Sequence, residues 1–243
     1  MRTSNPALTA KTFERYGPIA AGDGMTIEGT VNRAGFLLLV LAATATWTWT
    51  RTYAGVPVQG YLWGGLIGGF VVALITIFKP ALSPFTSPVY AALEGLALGA
   101  ISAIADARYP GIAIPAVALT FGTLFALLIA YRSRLIPVTE NFKLGIVAAT
   151  GGIAIFYLVA IGLSFFGIRI AFLHEGSALG IGFSLFVIVI AALNLVLDFD
   201  FIEKGAEHGA PKFMEWYGAF GLMVTLIWLY LEILRLLSKL RSR

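Results

Sequence analysis

The sequence predicts an all-α membrane protein, a bundle of seven transmembrane helices. Three observations carry that expectation. Of 243 residues, 58% are hydrophobic and only 12% charged, with a mean hydropathy of +0.86; a soluble domain carries about a quarter charged residues. The apolar residues fall into seven runs, each close to the roughly 20 residues that cross a hydrocarbon core. Those runs do not alternate with period two, which argues against an up-and-down barrel.

The spans read as 34–50, 61–79, 88–107, 112–131, 143–167, 176–198 and 214–238. The first is short and rich in threonine (Thr44, Thr46, Thr48, Thr50), so its start is placed at Ala34 or a turn before it. Trp47, Trp49, Tyr61 and Trp63 flank the following loop as an interfacial belt. Lys79-Pro80, Ser83-Pro84 and Ser87-Pro88 separate spans two and three, and Tyr109-Pro110-Gly111 separates three and four. The stretch from Arg132 to Lys143, with Pro137, separates four and five. Gly64/Gly68, Gly65/Gly69 and Gly95/Gly99 are spaced i,i+4, which lets helix backbones approach closely. Residues 1–33 form a polar N-terminal segment expected in the cytoplasm, without the pattern of a signal peptide, ahead of a seven-helix domain over 34–243.

Basic residues set the expected orientation. With the N-terminus inside, inner segments hold ten (Arg2, Lys11, Arg15, Arg33, Lys79, Arg132, Arg134, Lys143, Lys204, Lys212) and outer loops hold three (Arg51, Arg108, Arg169). The C-terminal Arg235, Lys239, Arg241 and Arg243 then raise the outer count to seven. Either seven spans end outside, or the last segment re-enters; seven spans with an inside N-terminus is the preferred reading. The net charge of +4 is accounted for by these loops and tails and their contact with lipid headgroups, not by nucleic acid. The absence of cysteine excludes disulfides, thiolate metal sites and a cysteine nucleophile.

An acid at membrane depth is expensive, so it marks an ion, a proton or a partner. Asp198 closes the sixth run and Asp200 follows it, in LNLVLDFDFIEKG; Glu232 lies inside the seventh, in LIWLYLEILRLL. Glu94 is the one acid well inside the first five spans, and Asn194 shares a helix face with Asp198. Depth alone lets Glu94, Asn194 and Asp198 converge on one polar cluster at the cytoplasmic side. Glu232 shares a face with Thr225 but lies roughly 10 Å further along its helix, so it is expected beyond reach of Asp198 and free to pair with Arg235. Asp200, Glu203, Lys204, Glu207, Lys212 and Glu215 read as a solvated loop.

Enzyme chemistry is not expected. His174 and His208 both fall in loops, and no GxSxG, HExxH or GxGD pattern occurs.

The segment Asp198-Phe-Asp-Phe-Ile-Glu-Lys204 and a last apolar helix ending in Leu-Tyr-Leu-Glu232-Ile-Leu-Arg-Leu-Leu resemble the C-terminal third of the Bax inhibitor family. That family is also called the transmembrane BAX inhibitor motif or YccA-like family. The seven-span plan fits over the whole chain, and the RTSNPAL…FERYG…MTIEGTVNR stretch looks like the bacterial branch. The resemblance implies a pH-dependent calcium or cation leak in the bacterial inner membrane, gated by paired aspartates on helices six and seven. Asp198 matches the first of them; the second falls on Thr225 or on Glu232, depending on the alignment. Two carboxylates sharing a dry site cannot both ionise easily and titrate as a unit. Calcium and protons are the implied ions, with Asp198 and Asp200 as the candidate calcium ligands in a chain that offers few hard oxygens, and no resident cofactor is expected. The rival implied function is a non-conducting regulator that binds a membrane protease or another membrane partner. A proton-coupled transporter ranks third, because no internal repeat is evident.

Overall fold

The computed structural model describes residues 24–168, 170 and 175–242; most of the polar N-terminal segment, Arg169, His174 and Arg243 lie outside them. Among the described residues seven helices follow in order: α1 Ile27–Tyr53, α2 Gln59–Phe78, α3 Ser83–Arg108, α4 Ala113–Arg132, α5 Glu140–Phe165, α6 Ala178–Glu207 and α7 Met214–Arg241, with a 3-10 turn at Pro80–Leu82 before α3. Each is long and apolar enough to cross a membrane. Side-chain oxygens start three of them. Thr26 accepts from the Gly29 amide, Thr139 from that of Phe142 and Ser177 from that of Gly180, so each satisfies a backbone donor that the first turn leaves open.

Successive helices run in opposite directions. At one end, where α1 begins, Thr26 bonds Glu215 of α7, Ser83 of α3 donates to the Phe213 carbonyl, and Lys143 of α5 meets Asp200 of α6. At the other end Tyr53 of α1 donates to Asp106 of α3, and Lys239 of α7 donates to the Gly180 carbonyl of α6. These are called the N-terminal and C-terminal ends of the bundle. Helix α7 is its centre, buried along most of its length and packed against α1, α3, α4 and α6. Helix α2 leans on α3, and α5 packs chiefly on α6.

Small residues set the spacing within the α1–α3 and α2–α3 pairs. A Cβ at Gly95 or Gly99 would strike the α1 backbone at Leu41 and Ala45, and one at Gly65 would lie 2.5 Å from the Leu93 carbonyl oxygen. The expected close approach is therefore made by Gly65/Gly69 and Gly95/Gly99, while Gly64 meets open space.

Four differences from the sequence reading bear on the site. Helix α1 starts at Ile27, two turns before Ala34, because its polar first turns dock on α7. Helix α3 starts at Ser83, not at Pro88: Pro84 sits in the first turn, where no amide donor is needed, and Pro88 is carried inside the helix. Helix α6 continues to Glu207, so the expected loop after Asp198 is helical. Helix α7 continues to Arg241 and does not double back. Its end is tied down by Lys239 and by Arg241, which donates to the Pro110 carbonyl at 2.6 Å. The C-terminal cations that disturbed the charge tally are thus largely engaged within the bundle.

Candidate functional site

Asp198 is completely buried on α6. It lies nine residues before the end of that helix, so roughly 13 Å from its terminus. Thr225, also buried, lies eleven residues into the antiparallel α7, roughly 16 Å from the same end. The two are level on neighbouring helices. Glu232 lies a further seven residues along, so of the two alignments only the one through Thr225 puts a residue beside Asp198 at its own depth.

One turn deeper than Asp198 and on its face, Asn194 donates to Thr150 Oγ1 of α5 at 2.9 Å and to the Ile190 carbonyl at 2.8 Å. Deeper again, Glu232 is buried and held by two partners. Arg235 Nη1 donates to both carboxylate oxygens at 2.8 and 2.9 Å, and Tyr157 of α5 donates at 3.1 Å. The same guanidinium donates to the Tyr157 hydroxyl at 2.6 Å and lies over its ring. At the C-terminal end Lys239 reaches Ser184 of α6 at 3.0 Å. The polar side chains of α5, α6 and α7 therefore form a ladder, with rungs at successive levels from one end of the bundle to the other.

Glu94 is not part of this ladder. Its carboxylate lies against α2, where a Cβ at Gly69 would come within 2.6 Å of Oε1. Helix α7 packs against both α3 and α6, which share no extensive face. The expected convergence of Glu94 with Asn194 and Asp198 does not form. Depth fixed the level of Glu94 but not the side of α3 from which it projects.

Asp200 is the second correction. It is helical and mostly buried, not in a solvated loop, and it accepts from Lys143 at 3.0 Å and Lys204 at 2.8 Å. Two residues along a helix turn by about 200°, so Asp198 and Asp200 point to nearly opposite sides and do not form a shared calcium site. Among the described residues no three of His, Asp or Glu gather as a metal site. Lys143, itself buried, also meets Glu140 at 3.0 Å, and Glu203 accepts from the Tyr131 hydroxyl of α4. The last turns of α6 are thereby latched to α4 and α5.

Glu215, also expected in the loop, is fully buried in the first turn of α7. It accepts from the Thr26 amide at 3.1 Å and the Thr26 hydroxyl at 2.8 Å, with Lys212 at 2.8 Å and Arg33 at 3.4 Å. A side chain at Gly29 would strike its carboxylate, so the glycine makes the room, and Arg33 also lies over the Trp216 ring. Lys143, Tyr131, Glu203, Glu215 and Arg33 were not singled out from sequence. For the four charged ones the one signal is charge at or just beyond the end of an apolar run, which also marks solvated residues; Tyr131 closes the fourth run and carries no such signal.

Removing the Asp200 charge leaves buried Lys143 with only exposed Glu140 as an acidic partner. Asp200→Asn is expected to destabilise the protein by about 1–3 kcal/mol, and Lys143→Met added to it to recover part of that loss. Thermal unfolding of the single and double variants in detergent checks both.

The fold and its ladder define a class: a helical membrane protein with an acid buried within a spanning segment and ion-paired helix ends. The chain matches the family model described as Bax inhibitor 1 like over residues 5–242, and it belongs to that family. Neither the comparison with curated proteins nor that with solved structures finds a match.

Proposed function

We propose that the protein is a pH-sensitive leak for calcium or related cations in the bacterial inner membrane, with its N-terminal end toward the cytoplasm. The observation that carries this reading is the α5–α6–α7 ladder, with Asp198 a fully buried acid on α6 just beneath the ion-paired N-terminal end. Polar groups at successive depths are what a cation crossing hydrocarbon requires. A ladder with few hard oxygens suits a permissive passage better than a tight calcium site.

Asp198 acts as the gate. Protonated, it is neutral and donates within the packed α6–α7 pair; ionised, it requires a cation or water and loosens that pair. The position level with it on α7 is Thr225, so the gate holds one carboxylate and a hydroxyl, where the family has two aspartates. Flux is therefore expected to rise with pH as Asp198 loses its proton.

The test is calcium release from proteoliposomes holding the purified protein alone, measured from acid to mildly alkaline pH. Release above that of protein-free vesicles, growing with pH, supports the leak. No release at any pH sinks it and favours the non-conducting regulator of a membrane protease or other partner.

A further inference from the structure

Helices α1 and α4 both pack on α7 and share no extensive face with each other. The space between them holds two cavities, of about 660 and 1120 Å³, which share Leu38 and Phe121 in their walls. Together they line α1 from Ile27 to Trp49, a rise of roughly 33 Å, which matches the roughly 30 Å hydrocarbon core of a bilayer. Pockets for small molecules hold about 300–1,000 Å³, so this cleft is large. Its walls are almost wholly apolar away from the N-terminal end.

The mouth at the N-terminal end is different, because Arg132 and Arg134 line it and both are exposed. Among the described residues neither arginine forms an ion pair. Two acids at the same mouth are already engaged, Asp200 by lysines and Glu203 by Tyr131, and Glu207 is exposed beside them. Arg134 is also the one described non-glycine residue with positive φ, at 56°. It closes α4 where the chain ordinarily uses glycine, its amide donating to the Tyr131 carbonyl at 2.9 Å and that of Leu135 to the Ala130 carbonyl at 3.0 Å. An arginine kept in a conformation that favours glycine, at the mouth of a cleft, is strain located where a ligand would be held.

We infer that this cleft binds a glycerophospholipid, one acyl chain lying between α1 and α4 and the phosphate paired with Arg132 and Arg134. The occupant follows from the two halves of the site: a bilayer-length apolar slot closed at the interface by unpaired cations. The inference stands apart from the ion ladder, which lies on the α5 side of α6 and α7.

The experiment is native mass spectrometry of the delipidated full chain in detergent, titrated with palmitoyl-oleoyl phosphatidylglycerol and, separately, with the phosphate-free diacylglycerol of the same chains. The protein is expected to retain the phospholipid and to bind the diacylglycerol about tenfold more weakly or worse. Arg132→Ala with Arg134→Ala is expected to weaken phospholipid retention by about tenfold. Gly35→Trp, whose new side chain enters the cleft through space that is now open, is expected to weaken it as well. Arg134→Gly separates binding from folding, because it relieves the backbone: it is expected to raise the unfolding temperature in detergent while lowering retention. Equal binding of the diacylglycerol, or retention unchanged in the arginine variants and in Gly35→Trp, overturns the inference. So does a dimer in the mass spectrum that only Gly35→Trp abolishes, since the occupant would then be a second copy of the chain.

Discussion

Asp198→Asn in proteoliposomes is expected to hold cation release at its low-pH level across the whole pH range, with a loss of roughly tenfold at the alkaline end, equivalent to about 1.4 kcal/mol of gating free energy. Asparagine has nearly the shape of the protonated acid and cannot ionise. The variant therefore keeps the packed α6–α7 pair and loses only the charge that opens it. Asp198→Glu keeps an ionisable group and is expected to keep a pH response with a displaced midpoint. Glu94→Gln is expected to leave the response in place, since Glu94 faces α2 and lies off the ladder. A pH response that survives Asp198→Asn removes Asp198 from the gate.

The second large effect is on folding. Glu215→Ala removes a fully buried carboxylate that receives two hydrogen bonds from Thr26 and faces Lys212 and Arg33. Hydrogen bonds to a charged group contribute about 1.5–3 kcal/mol each, and Lys212 and Arg33 keep enough exposure to be partly rehydrated. The expected loss is about 2–4 kcal/mol, with the start of α1 released from α7. Unfolding in detergent gives the magnitude, and faster amide exchange at residues 25–33 gives the location. Stability within about 0.5 kcal/mol of the native protein contradicts the role given to Glu215.

Hydropathy made the seven helices legible, because a spanning segment must be apolar over about 20 residues whatever it packs against. The same rule misplaced the ends. A span is read as closing at its first charges, yet Asp200, Lys143 and Glu215 are buried by pairing with groups remote in the chain, across 57 residues for Lys143 and Asp200 and 189 for Thr26 and Glu215. Asp198 was legible as a buried acid, and Glu232 with Arg235 as a pair three residues apart, because both follow from position within one helix. Tyr157 as the third member was not, since it comes from α5. Glu94 shows the limit plainly: composition and depth gave its level, and only the packing of α2 on α3 gave its direction.

The central claim is that Asp198 itself exchanges the proton that opens the bundle. Infrared difference spectra recorded between acid and alkaline pH on the reconstituted protein test it most directly. The account predicts a carboxylic C=O band that disappears as pH rises, is absent in Asp198→Asn, and has the same midpoint as cation release. A band that survives Asp198→Asn, or a midpoint that does not coincide with release, would contradict it.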